Sequence, residues 1–355
     1  MKYRRSSCDQ RSHRLAARQF AIFIFHFSIF NLFLPPIDLP VRAQTPPQDI
    51  EVVRTETDLT NLLFSITDKN NRYLTTLKQT DIRVLEDGVP QTLFAFQRET
   101  DRPLAIAFLI DVSESEQRTL PDEKAAARTF IESAIRSDKD QAAIIPFEGY
   151  AHLEQPLTRD VLALYRALQR VEVAIPFYSG SAPPMTGLVS GPGTVGPPLE
   201  GSTAIWDAVV LTCIQVTARS LGQRRRAIIL LTDGGDTSSR LARGTAVERA
   251  IESETVIYAI GIGDKKYGGV DKGALNNIAE RTGGRAFFPK QNADLTAAFQ
   301  EIEQELRSQY LVAYSSTNKK RDGAFRRMTI EITNPDLLKE QLKLRYRPGY
   351  FARKS

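Results

Sequence analysis

Residues 104–115 read LAIAFLIDVSES, and the fold turns on this stretch. Leu104–Ile110 is apolar throughout, without the polar alternation of a half-wet strand, so it reads as a strand covered on both faces. The apolar run stops at Asp111. Ser113 and Ser115 follow, two more short oxygen-bearing side chains. A buried strand that opens into such a loop fits a parallel sheet, in which ligands gather at the carboxyl edge.

Working outward, helical spacing predicts helices over 121–137, 161–171, 204–219, 245–253, 272–282 and 293–308. Apolar runs predict strands over 142–147, 227–231, 256–262 and 285–288. Strands alternating with helices imply an α/β fold, a doubly wound and mostly parallel sheet of Rossmann-like type. This domain is expected to span 102–308. The flanks differ in texture. Residues 44–101 alternate apolar and polar at Ile50–Val52, Leu62–Ile66, Ile82–Val84 and Leu93–Phe96. Residues 309–355 do the same at Tyr310–Tyr314, Met328–Ile332 and Leu342–Tyr346. The first flank reads as a small antiparallel β unit and the second is too small for a core of its own, so the two are expected to pair as one small β-sandwich, with the α/β domain inserted between them. Residues 176–201, rich in Gly, Pro and Ser, read as an exposed loop.

The formal charge of +5 is concentrated at the start of the chain. Residues 1–43 carry seven basic side chains and two acidic ones; setting these aside from 47 basic and 42 acidic leaves 40 of each. Recruitment of nucleic acid by bulk charge loses its support. A basic stretch to Arg18, a 15-residue apolar run at Phe20–Leu34 and the small-residue end Val41-Arg42-Ala43 read as a signal peptide over 1–43. The rival reading is an uncleaved anchor, and it supplies the one expected membrane contact. In both cases the protein is expected to be exported, periplasmic or extracellular. Beyond the leader only His152 and Cys213 remain of three histidines and two cysteines. Multi-His or Cys-rich zinc sites and an internal disulfide are thereby excluded.

Three oxygen-rich segments remain. Asp111-Val112-Ser113-Glu114-Ser115 ends one strand, Thr232-Asp233-Gly234-Gly235-Asp236 ends another, and Gly201-Ser202-Thr203 precedes a helix. Two carboxylates and three hydroxyls without nitrogen or sulfur suit a hard divalent cation, Mg2+ above all, with Mn2+ or Ca2+ as alternatives. In these segments the chain resembles the von Willebrand factor type A domain. The resemblance rests on the D-x-S-x-S, the threonine at a helix start and the T-D-G, and it covers roughly residues 102–308. It implies a metal-ion-dependent adhesion site. Ser113, Ser115 and Thr203 would coordinate through hydroxyls, and Asp111 and Asp233 directly or through water. The flanking Val84-Leu85-Glu86-Asp87-Gly88, Arg307-Ser308-Gln309-Tyr310 and Arg347-Pro348-Gly349-Tyr350 resemble the bacterial secreted subgroup of that family. Glu116 stands where many members carry Met, and with Glu114 it is expected to add negative charge near the site.

The resemblance implies a non-enzymatic protein-binding module whose ion accepts an Asp or Glu from a protein partner. The alternatives are a metal-stabilised envelope scaffold and a metal-dependent hydrolase, the latter lacking a nearby general base. Asp236 reads as turn chemistry, Trp206 as core packing at a helix start and Cys213 as a buried small apolar side chain. His152 reads as solvated and Gly261-Ile262-Gly263 as too sparse for a phosphate loop. Arg224-Arg225-Arg226 reads as a solvated turn, and Lys319-Lys320-Arg321 with Gly323 as a hairpin turn.

Overall fold

The structure, a computed structural model, describes residues 59–174, 202–217, 220, 225–263 and 268–354. The leader, the run Ile50–Val52 and the loop 176–201 lie outside the described residues. Four strands come first: β1 (Leu59–Thr67), β2 (Ile82–Glu86), β3 (Val89–Pro90) and β4 (Leu93–Arg98). Asp87 and Gly88 close the β2–β3 hairpin with φ of 48° and 83°. This left-handed pair is the turn that Asp-Gly favours, because its twist matches the strands it joins.

The alternating section follows as β5 (Leu104–Asp111), α1 (Leu120–Ala134), β6 (Gln141–Phe147), β7 (Gln155–Thr158), α2 (Val161–Arg170) and α3 (Ile205–Thr212). It continues with β8 (Arg225–Thr232), α4 (Arg243–Glu252), β9 (Thr255–Gly261), α5 (Lys272–Thr282), β10 (Ala286–Phe287) and α6 (Asn292–Ser308). The sheet order is β10-β9-β8-β5-β6-β7, parallel throughout except for β7, which runs antiparallel to β6. All eight residues of β5 are buried. Its alternate side chains feed two separate cores. Ile106, Phe108 and Ile110 enter one with Phe130, Leu164 and Phe299, from α1, α2 and α6. Ala107 and Leu109 enter the other with Val209, Ala250 and Leu275, from α3, α4 and α5. Each fully buried Leu, Ile or Phe contributes roughly 1.5–3 kcal/mol. That two-sided burial is why the run carries no polar residue.

The chain closes with β11 (Tyr310–Ser315), β12 (Phe325–Ile332), α7 (Pro335–Leu338), β13 (Lys343–Tyr346) and β14 (Gly349–Phe351). These strands interleave with the first four. One sheet runs β13-β1-β11-β4 and the other β14-β12-β2-β3, around a core that includes Leu62, Phe64, Val84, Tyr310, Val312 and Ile330. The three flanking motifs sit at structural joints. The buried Glu86 carboxylate accepts from Tyr314 (2.9 Å), Ser316 (2.5 Å) and Tyr350 (3.0 Å). Tyr310 Oη accepts from Leu77 N at 3.0 Å. Arg347 donates to the carbonyls of Asn61 (2.6 Å) and Ile251 (3.2 Å), tying β1 to α4. On α6, the buried Glu305 accepts from Ser65, Tyr73 and Arg345. The described residues fall within one compact unit, Glu56–Ser355.

Four details differ from the sequence reading. Arg225 is not a solvated turn residue: it starts β8, is 3% exposed and donates to Leu306 O, Gln309 Oε1 and Arg102 O. Its terminal nitrogens are thus satisfied by protein oxygens rather than by water. The Lys319–Gly323 turn is not a hairpin, because β11 and β12 belong to different sheets and the segment crosses between them. The helix from Ala204 is α-helical only to Thr212 and continues as π-helical turns over Cys213–Thr217. Strand β7 was not foreseen; Gln155–Thr158 is a short edge strand with no apolar run. No helix among the described residues is long and apolar enough to cross a membrane.

Candidate functional site

Strands β5 and β8 are hydrogen-bonded neighbours in register, Ile110 opposite Leu231, so their ends arrive together at the carboxyl edge. Asp111 is fully buried there. Its Oδ2 accepts from Thr232 Oγ1 at 2.6 Å, and its Oδ1 from Ser113 N at 3.0 Å. Ser113 and Ser115 place their hydroxyl oxygens 3.1 Å apart. Residues two apart in an extended loop would face opposite ways. Here Ser113 turns into a single 3-10 turn over Glu114–Glu116, which brings the two hydroxyls to one side.

Asp233 Oδ1 accepts from Gly235 N at 2.7 Å, and Gly234 takes φ of 84° to allow that reversal. The backbone of Asp233 is held in turn by Asp271 N, which donates to its carbonyl at 2.8 Å. Gly261 and Gly263 matter here for packing rather than for phosphate binding. A Cβ on Gly263 would lie 2.7 Å from Asp233 Cβ, so only glycine lets the end of β9 pass behind this carboxylate.

Thr203 is fixed from two directions. Its carbonyl accepts from Thr237 N (2.9 Å) and Ser238 N (3.0 Å), its own N–H donates to Thr237 Oγ1 (2.8 Å), and Ala204 N donates to Glu148 O (2.7 Å). The start of α3 is stitched to the same loop. Asp236 Oδ1 accepts from Ile205 N at 2.9 Å, and Asp207 accepts from Arg240 N and Leu241 N. Asp236 thus caps a helix. The structure brings Asp111, Asp233, Ser113 and Ser115 to one strand edge and anchors Thr203 on the loop that follows Asp233. Among the described residues, no hydrogen bond joins the Thr203 hydroxyl to the serine pair.

The sequence reading missed the role of Glu116. It is fully buried, and one oxygen each from Asp111, Glu116 and Asp233 lie within 4.8 Å of one another. Behind it Glu123 is 1% exposed on the apolar face of α1. Burial pushes Asp111 up to about 6 and raises the Glu116 and Glu123 carboxyls well above their ordinary range. Glu116 therefore does not add a surface charge as expected from sequence; Glu114, which is exposed, does. The signal was present in the run itself, since a carboxylate five residues after Asp111 falls on the first turn of the same loop.

Fit to a divalent cation is tested by what surrounds these oxygens. Among the described residues, no basic side chain forms an ion pair with Asp111, Glu116 or Asp233, and Glu116 Oε1 has no hydrogen-bond partner. Buried carboxylates crowded together without a counter-charge repel one another, and a doubly charged hard cation removes that cost. The donors are all oxygen, so the residues fit the group. Other features bear on chemistry less. Trp206 is buried in the α3 core, as expected. Cys213 is fully buried, its thiol pushed up to about 12 by burial. His152 is half-buried and pairs with Glu154 at 3.2 Å.

Comparison with known proteins points to one family. The family described as von Willebrand factor type A domain matches residues 106–235 in one form and residues 195–305 in another. No curated protein matches the chain. Among solved structures, proximal thread matrix protein 1 from the mussel byssus, with a zinc-occupied MIDAS motif, is 19% identical at a TM-score of 0.47. That match covers 62% of this chain and 50% of the mussel protein. The chain thus spans about half the length of that relative. A von Willebrand factor type A protein from Catenulispora acidiphila is 13% identical at a TM-score of 0.46, covering 85% and 75% of the respective chains. BatB from Bacteroides thetaiotaomicron is 19% identical at 0.43, covering 57% and 98%.

Proposed function

Since the chain belongs to the von Willebrand factor type A family, we propose that it is a divalent-cation-dependent protein-binding module of the exported, bacterial type. Asp111, Ser113, Ser115, Thr203 and Asp233 would hold the ion as a metal-ion-dependent adhesion site. The observation that carries this reading is the buried group of Asp111, Glu116 and Asp233, mutually within 4.8 Å and without a basic partner among the described residues, beside the paired serine hydroxyls. All-oxygen donors favour Mg2+ over softer ions, with Mn2+ and Ca2+ as the alternatives. When bound, the ion supplies an electrophilic position at which a carboxylate from a protein partner can replace water. The chain's own contribution is to hold its donors rigid. The Thr232 hydroxyl and Ser113 N–H orient Asp111, Gly235 N–H orients Asp233, and the Asp236 cap fixes the helix start that follows Thr203.

Binding rather than hydrolysis is favoured by the residues at hand. His152 is engaged with Glu154, and Cys213 is a buried thiol in the α3 core. The leader supports an exported, periplasmic or extracellular protein, or one anchored by an uncleaved segment. Calorimetric titration of the purified chain with Mg2+, together with capture of envelope proteins in Mg2+ against EDTA, tests the reading. Saturable Mg2+ binding and capture that Asp111→Ala abolishes are expected. Capture unchanged by EDTA overturns it.

A further inference from the structure

At the opposite edge of the parallel sheet, about 23 Å along β8 from Thr232 at the usual strand rise, the sandwich meets the α/β domain around a cavity of about 50 Å3. Its lining includes three guanidiniums, Arg102, Arg225 and Arg347, and the carboxylate of Glu254. They come from separate elements: the segment before β5, the start of β8, the segment after β13 and the turn before β9. Each of the two innermost is already held through its terminal nitrogens. Arg225 donates to Leu306 O, Gln309 Oε1 and Arg102 O, and Arg347 to Asn61 O and Ile251 O. Both keep a buried Nε–H without an acceptor.

Carbonyl oxygens satisfy hydrogen-bond geometry but do not neutralise charge. Carboxylates near this joint include Glu99, 3.4 Å from Arg102, Glu254, 3.9 Å from Arg226, and Asp140, which is paired with Arg136. Among the described residues, neither Arg225 nor Arg347, the two deepest, forms an ion pair with a carboxylate. Burial draws the Arg225 guanidinium down to about 10 against the opposing pull of Glu99, and lowers Arg347 against that of Glu254. A buried guanidinium without a paired carboxylate is costly, and the cavity beside these two offers the place for a compensating anion. A cavity of about 50 Å3 admits about three or four waters, which is also the space taken by the four oxygens of a tetrahedral ion. Glu254, on the lining, has a side chain 49% exposed.

We propose that this cavity binds a small free oxyanion of the phosphate or sulfate class, which locks the sandwich onto the α/β domain. The site is independent of the cation site and of the partner-binding reading. Guanidinium geometry favours tetrahedral oxyanions over halides, and an ion bound only to the folded chain stabilises it by mass action.

The test is thermal melting and calorimetry of the full chain with sodium phosphate or sulfate against sodium chloride at matched ionic strength. Phosphate and sulfate are expected to raise Tm saturably, and chloride is expected not to. Arg225→Gln removes a fold contact, so two milder variants carry the test. Arg102→Gln is expected to weaken phosphate about tenfold, and Glu254→Gln to tighten it about threefold by removing a like charge from the lining. Both are expected to leave Mg2+ affinity unchanged. O-phosphoserine, larger than the cavity, is expected not to compete. Equal stabilisation by chloride, or indifference of phosphate affinity to both variants, overturns the site. Full competition by O-phosphoserine overturns its assignment to a free ion.

Discussion

Thr232 Oγ1 donates to Asp111 Oδ2 at 2.6 Å, a contact between residues 121 apart in sequence that the β5–β8 pairing brings side by side. The same hydroxyl accepts from Gly234 N at 3.1 Å, so one side chain orients the Asp111 carboxylate and shapes the turn that carries Asp233. Two loops at the candidate metal site are thus set by a residue that is not among its proposed ligands.

Thr232→Val keeps the shape and removes the donor. A hydrogen bond to a charged group contributes about 1.5–3 kcal/mol, and the variant is expected to lose stability in that range. It should also weaken Mg2+ about tenfold, as read by urea unfolding and calorimetry. Undiminished affinity would show that Asp111 needs no such orientation.

Gly263→Ala puts a methyl 2.7 Å from Asp233 Cβ. The carboxylate must move, and overpacking of this kind costs about 1–3 kcal/mol. Mg2+ affinity should fall more than tenfold by calorimetry, an order-of-magnitude expectation from that strain. Gly244→Ala, where no heavy atom lies within 4 Å, serves as the control and should bind as the wild type does.

Glu123 sets a pH dependence. Glu116, Asp111 and Asp122 face it, and burial raises its pKa above the ordinary 4.5, so the folded chain keeps a proton that the unfolded chain releases. Stability from this source is complete below pH 4.5 and is lost as pH climbs through the raised value. Melts in EDTA are expected to give a lower Tm at pH 8 than at pH 5. Glu123→Gln should flatten that difference and melt about 5 °C above wild type at pH 8. Identical pH profiles for the two proteins would contradict this.

Cys213 is expected to resist thiol reagents in the native state, because burial raises its pKa to about 12 and leaves almost no thiolate at neutral pH. Labelling should proceed only in denaturant, at the rate of unfolding. Rapid native labelling would mean that the α3 core opens.

Much of this was legible from residue order alone. LAIAFLI announced a strand buried on both faces, and the structure divides its side chains between two cores. The helix expected over 272–282 is observed at those bounds, with Asp271 capping one end and Gly283 closing the other at φ of 88°. What escaped was long-range compensation. Arg225 looks solvated within a run of three arginines; its carbonyl partner at Leu306 lies 81 residues away. Glu116 looks like surface charge until the 3-10 turn over Glu114–Glu116 folds it inward. Both depend on neighbours that no local pattern reveals.

The pairing of β4 with β11 places Arg98 opposite Tyr310, so the chain enters the α/β domain and leaves it on adjacent, mutually hydrogen-bonded strands. The domain is a closed loop tethered at both feet. A pull delivered at its far rim divides between two strands that brace each other, and neither can be peeled away alone.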